Sequence, residues 1–203
     1  GKLIAAATDS FRLSEKVVPL KGAGTFPQIL LPARNAAELI RILETHSGEI
    51  EVYYNENQVS TRAGEIYYTS RLIDGAFPNY RQILPQTFTT ERVVLREDMS
   101  QALKSLTVFA DKFSQVSLAI EPSKKSLTLS SRNPDVGEQS STLRATISGD
   151  AVAMNFNGRY LADSLQPIAG ESVRLYSNGP GKPLLVRDAA DDSFLYLAMP
   201  MNR

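Results

Sequence analysis

The chain has 203 residues, 42% of them hydrophobic and 22% charged, and its 22 basic residues balance 22 acidic ones. That composition is ordinary for a soluble globular protein and excludes a disordered, collagen-like or coiled-coil rod. No apolar run approaches the ~20 residues of a membrane helix, and the N-terminus lacks a basic-then-apolar signal. The lack of cysteine and the single histidine exclude disulfides, thiolate zinc sites, iron–sulfur clusters and multi-histidine metal sites.

A formal net charge of zero argues against a protein that holds nucleic acid by a strong basic field. Any contact with nucleic acid must then come from local patches or from geometry. The chain begins at Gly1, without an initiator methionine, and runs directly into an apolar stretch. We expect a fragment that starts inside a folded domain, and a cytoplasmic location.

The first predicted unit is a short apolar run that leads into a helix. Ile29–Leu31 predicts a strand, Pro32 favours a helix start, and Gly48 favours its end. Spacing of i, i+3, i+4 and i+7 predicts a buried helix face. Its members are Ala36, Leu39, Ile40 and Leu43.

Two later segments repeat this order. Val93–Leu95 and Ala153–Phe156 predict strands. The helices that follow have Asp98 and Asn157 as their predicted N-terminal caps. The second of these helices is predicted to end by Gly170. The predicted buried faces consist of Met99, Ala102, Leu103 and Leu106 in one helix and Leu161, Ser164, Leu165 and Ile168 in the other.

Alternating, turn-bounded strands follow each helix, and roughly 60 residues separate one unit from the next, which favours an internal repeat. The strand-rich ranges are 49–63, 64–74, 115–131, 140–148, 172–178, 183–189 and 193–201. The pattern predicts an α+β fold in which a helix from each unit packs on an antiparallel sheet. Since one helix cannot cover a sheet alone, units should pair. That pairing gives one complete two-unit domain and one truncated at its N-terminus.

Catalytic motifs are missing from the sequence. Lys182 is followed by Pro183 instead of the Ser or Thr of a phosphate-binding loop, and no Gly-x-Ser-x-Gly or Ser-x-x-Lys motif occurs. Asp188, Asp191 and Asp192 lack the regular ligand spacing of a calcium loop. We therefore expect no catalytic residues, no metal and no cofactor.

Three stretches combine apolar, proline and basic residues where loops or chain ends are expected: Ala7–Ser14, Leu72–Arg81 and Tyr196–Arg203. Two methionines around a proline at a chain end are unusual for a segment that merely frays. Methionine is an adaptable side chain of surfaces that accept several apolar partners.

Together these stretches resemble the bacterial DNA polymerase III beta subunit, the sliding clamp. Ala7–Leu13 matches the A-T-D-x-x-R-L motif of its second domain, and Leu72–Tyr80 matches that domain's L-x-D-G-x-F-P-x-Y segment. Met199–Met201 matches the M-P-M tail of the third domain. Two shorter matches are an F-N-x-x-Y segment at Phe156–Tyr160 and a K-F step at Lys112–Phe113.

This chain departs from the family pattern in two places. Ser10 and Phe11 stand where many members have Gly-His or Gly-Tyr, and the chain ends in Asn202-Arg203, not in Arg-Leu. These differences fall inside two of the matching segments. They predict that affinity for peptide partners is tuned differently here.

The resemblance implies a DNA-clamp fold of two similar domains, each with antiparallel sheets outside and helices packed on the inner face. Residues 1–80 would be a partial middle clamp domain, truncated at its N-terminus, and 81–203 the C-terminal clamp domain. The implied function is non-enzymatic: a ring-forming processivity factor of bacterial DNA replication, which encircles duplex DNA topologically and without sequence preference. Near-zero net charge is tolerable for such a device.

The implied partners bind through short linear peptides. They are replicative and translesion polymerases, the clamp loader and repair proteins, with no membrane partner. The full-length protein would be a homodimer, and this shorter chain could be a monomer. An apolar groove would bury a Leu or Phe anchor, while Arg12 and Asn157 would hold the peptide's polar atoms.

Site residues carried over from the family fall into three groups. The peptide-binding groove comprises Thr8, Ser10, Phe11, Arg12, Leu13, Pro78, Ile83, Asn157, Tyr160, Leu197, Met199, Pro200 and Met201. The DNA-facing basic residues are Arg34, Arg41, Lys104 and Arg159. The subunit interface comprises Thr107, Val108 and Phe109.

Two alternatives stay open at this stage. An unrelated α+β enzyme of the hydrolase type would need a nucleophile–base pair, and none is visible. A protein-interaction module without a DNA role would lack a helix-lined basic face. The basic helix residues could equally be ordinary solvated charges, because Glu38 and Asp163 lie nearby in the sequence.

Overall fold

The computed structural model describes residues 1–20 and 27–201, which form antiparallel sheets and short helices. The chain divides into two compact units. The larger unit joins Gly1–Ala23 to Leu84–Arg203, and the smaller unit is Gly24–Ile83. The units do not follow chain order, because the N-terminal residues pack with the C-terminal half of the chain.

The helices are α1 (Ala33–Leu43), α2 (Arg96–Thr107) and α3 (Gly158–Leu165). The strands are β1 (Lys2–Thr8), β2 (Arg12–Pro19), β3 (Glu51–Tyr54), β4 (Gln58–Ala63), β5 (Ile66–Arg71), β6 (Thr90–Leu95), β7 (Gln115–Glu121), β8 (Ser126–Asn133), β9 (Gly137–Arg144), β10 (Thr146–Ser148), β11 (Val152–Asn157), β12 (Ser172–Ser177), β13 (Leu184–Asp188) and β14 (Phe194–Ala198).

Two antiparallel sheets build the larger unit. The seven-stranded sheet has the order β1-β2-β14-β13-β12-β6-β10, and the four-stranded sheet has the order β11-β7-β8-β9. The β1–β2 hairpin joins the first sheet through β14, where Leu13 lies opposite Leu197. The sequence did not predict this hairpin, although it did predict most of the later strands.

Helices α2 and α3 pack against each other and against strands of both sheets. The predicted face of α2 is confirmed, because Met99, Ala102, Leu103 and Leu106 are all buried. The predicted cap is wrong: α2 begins at Arg96, so Asp98 lies inside its first turn. Burial of these side chains with strand residues such as Leu118 and Phe156 creates the main core.

The third predicted unit is confirmed at its start. The Asn157 side chain accepts a hydrogen bond from the backbone N–H of Arg159 at 2.9 Å, which caps α3. Helix α3 ends at Leu165, before the predicted end, and Ile168 is buried beyond it.

The smaller unit contains α1 and a three-stranded sheet with the order β3-β4-β5. The Asn35 side chain of α1 donates to Ser70 Oγ at 2.7 Å, and Tyr68 OH donates to the Asn35 carbonyl. Two predictions fail here. Ile29–Leu31 is not a strand, and α1 ends at Leu43, well before Gly48. The predicted buried face of α1 is wrong as well, because Ile40 is 59% exposed and no residue of the helix is buried.

Candidate functional site

The turn between β1 and β2 is held by its own polar side chains. Asp9 Oδ1 accepts from the backbone N–H groups of Phe11 and Arg12 at 3.1 and 3.0 Å, and Thr8 Oγ1 donates to the Arg12 carbonyl at 2.8 Å. Ser10 adopts φ +75°, a left-handed conformation that favours glycine. The turn is therefore fixed locally, at the cost of strain at one residue.

Arg12 links this turn to the rest of the larger unit. Its Nε lies 2.8 Å from Asp9 Oδ2 and its Nη1 lies 2.5 Å from Asp163 Oδ2 on α3. Nη1 also lies 3.4 Å from Tyr196 OH on β14, and the guanidinium sits 4.3 Å above the Tyr160 ring. Arg12 and Tyr160, two of the predicted groove residues, are thus in direct contact.

These contacts and the burial of the side chains shift the pKa values of Asp9, Arg12 and Tyr196. Partial burial alone would raise the pKa of Asp9, but hydrogen bonds from the Arg12 side chain and the turn amides outweigh it, so this pKa is lowered. Burial likewise opposes the charged form of Arg12, yet hydrogen bonds to Tyr196, Asp163 and Asp9 raise its pKa. The pKa of Tyr196 is raised chiefly by burial. The guanidinium and the Asp9 carboxylate therefore remain charged at neutral pH.

The chain end forms the second part of the site. The Met199 N–H donates to the Phe11 carbonyl at 2.8 Å, and the Met201 N–H donates to the Asn155 carbonyl at 2.7 Å. The tail thus runs from the β1–β2 turn to β11, an edge strand of the four-stranded sheet. A cleft of about 560 Å³ opens beside it, lined by Ser117, Ala153, Met154, Asn155, Gly181, Pro200 and Met201.

Two of the predicted groove residues, Arg12 and Leu13, begin strand β2. Arg12 and Leu13 are consecutive, so strand alternation directs them to opposite faces. Leu13 pairs with Leu197, and both are buried. Phe11 and Met199 lie at the end of these strands and are 62% and 39% exposed. The exposed apolar surface is therefore at the strand ends, while the two leucines are already covered.

Asn157 is engaged within the protein. Its Oδ1 caps α3, and its Nδ2 donates to the Phe113 carbonyl at 3.3 Å. Pro78 and Ile83 belong to the smaller unit, and both are exposed. Two backbone hydrogen bonds shape this segment: the Tyr80 N–H donates to the Pro78 carbonyl, and the Ile83 N–H donates to the Tyr80 carbonyl.

The four predicted DNA-facing residues are all exposed. Arg34 and Arg41 lie on α1 in the smaller unit, whereas Lys104 and Arg159 lie on α2 and α3 in the larger unit. None of the four forms an ion pair with a residue in the described ranges. Asp163 forms its ion pair with Arg12, and none with Arg159 is found in the described residues.

The predicted interface residues lie at the C-terminal end of α2. Val108 is 67% exposed and Thr107 is exposed, while Phe109 is half-buried and its carbonyl accepts a hydrogen bond from Ser131 Oγ. Val108 is therefore the most accessible apolar side chain of the three.

Neither a metal centre nor a membrane helix is found in the described residues. Across 1–20 and 27–201, no group of three or more His, Cys, Asp or Glu side chains could hold a metal ion. Within the same ranges, no helix combines the length and apolar character needed to cross a membrane.

Two residues that contact Arg12, Asp163 and Tyr196, are absent from the predicted site. In the sequence, Asp163 stands out only as a charge near Arg159, and Tyr196 only as the first residue of the Tyr196–Arg203 stretch. One signal was available, because Tyr160 and Asp163 are three residues apart on a helix and so share a face. Their joint contact with Arg12 depends on tertiary packing and has no local signature.

Two family models together match almost the whole length of the chain. The model of the DNA polymerase III beta subunit central domain matches residues 1–79, and the model of its C-terminal domain matches residues 81–202. The beta sliding clamp of Caulobacter vibrioides is 31% identical over 203 residues, which cover 99% of this chain and 54% of that protein. The chain therefore spans about half the length of the curated relatives it matches.

Solved structures agree with these matches. A Pseudomonas aeruginosa DNA polymerase III beta subunit has a TM-score of 0.93 at 27% identity, over 100% of this chain and 56% of that one. The Bacillus subtilis sliding clamp has a TM-score of 0.90 at 27% identity, over 100% and 54%. Another P. aeruginosa clamp, bound to griselimycin, has a TM-score of 0.92 at 27% identity, over 100% and 55%.

Proposed function

The chain belongs to the DNA polymerase III beta subunit family, and on that premise we propose that it is part of a sliding clamp that docks partner peptides. The docking surface is formed by the β1–β2 turn, the N-terminal part of α3 and the chain end. In this role the protein makes and breaks no bonds. It tethers polymerases and other replication proteins to duplex DNA.

One observation carries the proposal most strongly. Segments more than 140 residues apart in sequence meet at one place, where Arg12 contacts Tyr160 and Asp163 and the Phe11 carbonyl accepts from the Met199 N–H. The exposed apolar side chains Phe11 and Met199 lie beside that charged cluster. An apolar anchor site bordered by fixed polar groups is the usual arrangement of a peptide-binding surface.

The finer features of the proposal follow the family. Pro78 and Ile83 would complete the groove, and Thr107, Val108 and Phe109 would meet a second subunit in a homodimeric ring. The sequence would divide into a middle domain through residue 80 and a C-terminal domain from residue 81. The location would be cytoplasmic. Replicative and translesion polymerases, the clamp loader and repair proteins would share the same groove.

Exposed basic residues support a DNA-facing surface. Lys104 and Arg159 lie on α2 and α3, which pack against each other, and neither forms an ion pair within the described ranges. An interaction module without a DNA role is the competing function. Titration of duplex DNA at several salt concentrations distinguishes the two functions. Loss of one phosphate contact reduces the slope of log binding constant against log salt concentration by about one. If Lys104→Ala leaves an already measurable slope unchanged, this surface does not face DNA.

Calorimetric titration of a short synthetic peptide containing Gln, Leu and Phe tests the groove. Met199→Ala combined with Met201→Ala should weaken binding by about 2–4 kcal/mol in total, because two apolar contacts of the anchor are lost. Val136→Ala is the matched control: it removes an exposed apolar side chain (54% exposed) outside the site and should leave affinity unchanged. Equal affinity of the double variant and the wild type would refute the groove assignment. Griselimycin, bound by the P. aeruginosa clamp, is a second probe for the same comparison.

A further inference from the structure

Arg12 is held by side chains from three parts of the larger unit. Asp9 lies in the same turn, Tyr196 lies on β14, and Tyr160 and Asp163 lie on α3. The Arg12 side chain keeps 31% of its surface exposed. It is therefore fixed on the inner side and remains accessible to a ligand.

Asp163 differs from the other three partners. Asp9 moves together with the turn, so it cannot attach the turn to another element. Tyr196 OH is an uncharged partner at 3.4 Å. Contact with the Tyr160 ring fixes how far the guanidinium lies from the ring more than how the guanidinium is oriented. The Asp163 carboxylate makes a 2.5 Å charge-assisted bond across 151 positions of sequence.

Fixing a long side chain in advance favours binding. An arginine that is free to rotate loses conformational entropy when a ligand orders it, and that loss weakens affinity. An arginine already fixed by a carboxylate incurs less of this loss. The same ion pair holds the β1–β2 turn, with its exposed Phe11, against α3.

We propose that Asp163 is a positioning residue of the peptide site, which orients Arg12 over Tyr160 and holds the β1–β2 turn against α3 before a partner arrives. This inference rests on the proposed function. Asp163 need not touch the peptide, because its effect is transmitted entirely through Arg12.

A double-mutant cycle tests this indirect role. The affinity for the Gln-, Leu- and Phe-containing peptide should fall about tenfold in Asp163→Ala, whereas Asp163→Ala in an Arg12→Ala background should change it by less than about twofold. Asp163→Glu should recover most of the affinity, since it restores a carboxylate to the same helix face. Asp135→Asn, which alters an exposed aspartate in the β8–β9 turn, is the matched control and should bind like the wild type.

The outcomes separate the inference from the proposed function. If the wild-type chain binds no peptide, the proposed function fails. If it binds but Asp163→Ala binds equally well, or weakens binding equally in both backgrounds, Asp163 is not a positioning residue. If Asp163→Ala does not fold, the isosteric Asp163→Asn replaces it in the same cycle. An effect that tracks the melting temperature and is not recovered by Asp163→Glu would also overturn the inference.

Discussion

The two compact units bury their apolar residues to very different degrees. In the larger unit, two sheets enclose α2 and α3, and residues such as Leu106, Leu118 and Phe156 are completely buried. In the smaller unit, α1 has no buried residue, and every residue of β3 is exposed. Within the described part of the smaller unit, the buried apolar side chains are Val59 and Ala63 on β4, because three strands and one short helix cover less surface than two sheets around a helix pair.

The most direct way to break this comparison is a matched pair of helix substitutions. Leu106→Ala in α2 removes a completely buried side chain and should lower the free energy of unfolding by about 2–5 kcal/mol. Ile40→Ala in α1 removes a side chain that is 59% exposed and should change it by less than about 0.5 kcal/mol. Urea unfolding followed by circular dichroism measures both values. Similar losses in the two variants would show that α1 is buried in solution.

Buried helix faces were predictable in the larger unit and not in the smaller one. The faces of α2 and α3 were predictable because a closed core demands apolar residues at helical spacing, and the cap Asn157 was predictable from its position. In the smaller unit the apolar spacing was present at Ile40 without the burial that normally accompanies it. Spacing indicates which residues share a face and does not show whether anything covers that face.

The contacts around Arg12 were not predictable from the sequence. Family resemblance singled out Arg12, Tyr160 and Met199, but the bond from Arg12 to Asp163 joins positions that nothing local connects. The β1–β2 hairpin was missed for a related reason. Its turn is stabilised by Asp9 and Thr8 side chains and has Ser10 at a position where glycine would have signalled a turn.

Ser10 offers a smaller test, confined to the larger unit. Ser10→Gly removes the strain of a non-glycine residue at φ +75°. Glycine also adds entropy to the unfolded chain, which offsets part of this gain, so the free energy of unfolding should rise by about 0.5–1 kcal/mol. Hydrogen exchange should slow in β1 and β2 and stay unchanged in β3, β4 and β5. Ser14→Gly, within β2, is the control and should destabilise the hairpin. Faster exchange in Ser10→Gly would contradict the strain assigned to this turn.

Asp9 should give the smallest effect, visible as a dependence on pH. Its pKa is lowered in the folded protein, so its stabilisation is present above the ordinary value near 3.8 and is lost as the pH falls through the folded value. Asp9→Asn can still accept from the turn amides but loses the ion pair with Arg12. The difference in unfolding free energy between the wild type and Asp9→Asn should be below about 1 kcal/mol at neutral pH, because the pair is partly exposed.

That difference should stay constant above about pH 5 and shrink as the pH falls below 3.8 and through the lower folded pKa of Asp9. Hydrogen exchange of β1 and β2 reports it locally, while β3, β4 and β5 serve as an internal reference. A difference that stays constant or grows on acidification would contradict the charge assigned to Asp9.

Methyl-labelled methionine provides the most direct test of the proposed peptide site. The four methionines divide into Met99 and Met154, which are buried in the core, and Met199 and Met201 on the tail. Titration with the Gln-, Leu- and Phe-containing peptide, followed by NMR of the methyl groups, should shift the Met199 and Met201 signals and leave Met99 unchanged. Binding that leaves both tail signals in place would contradict the peptide site described here.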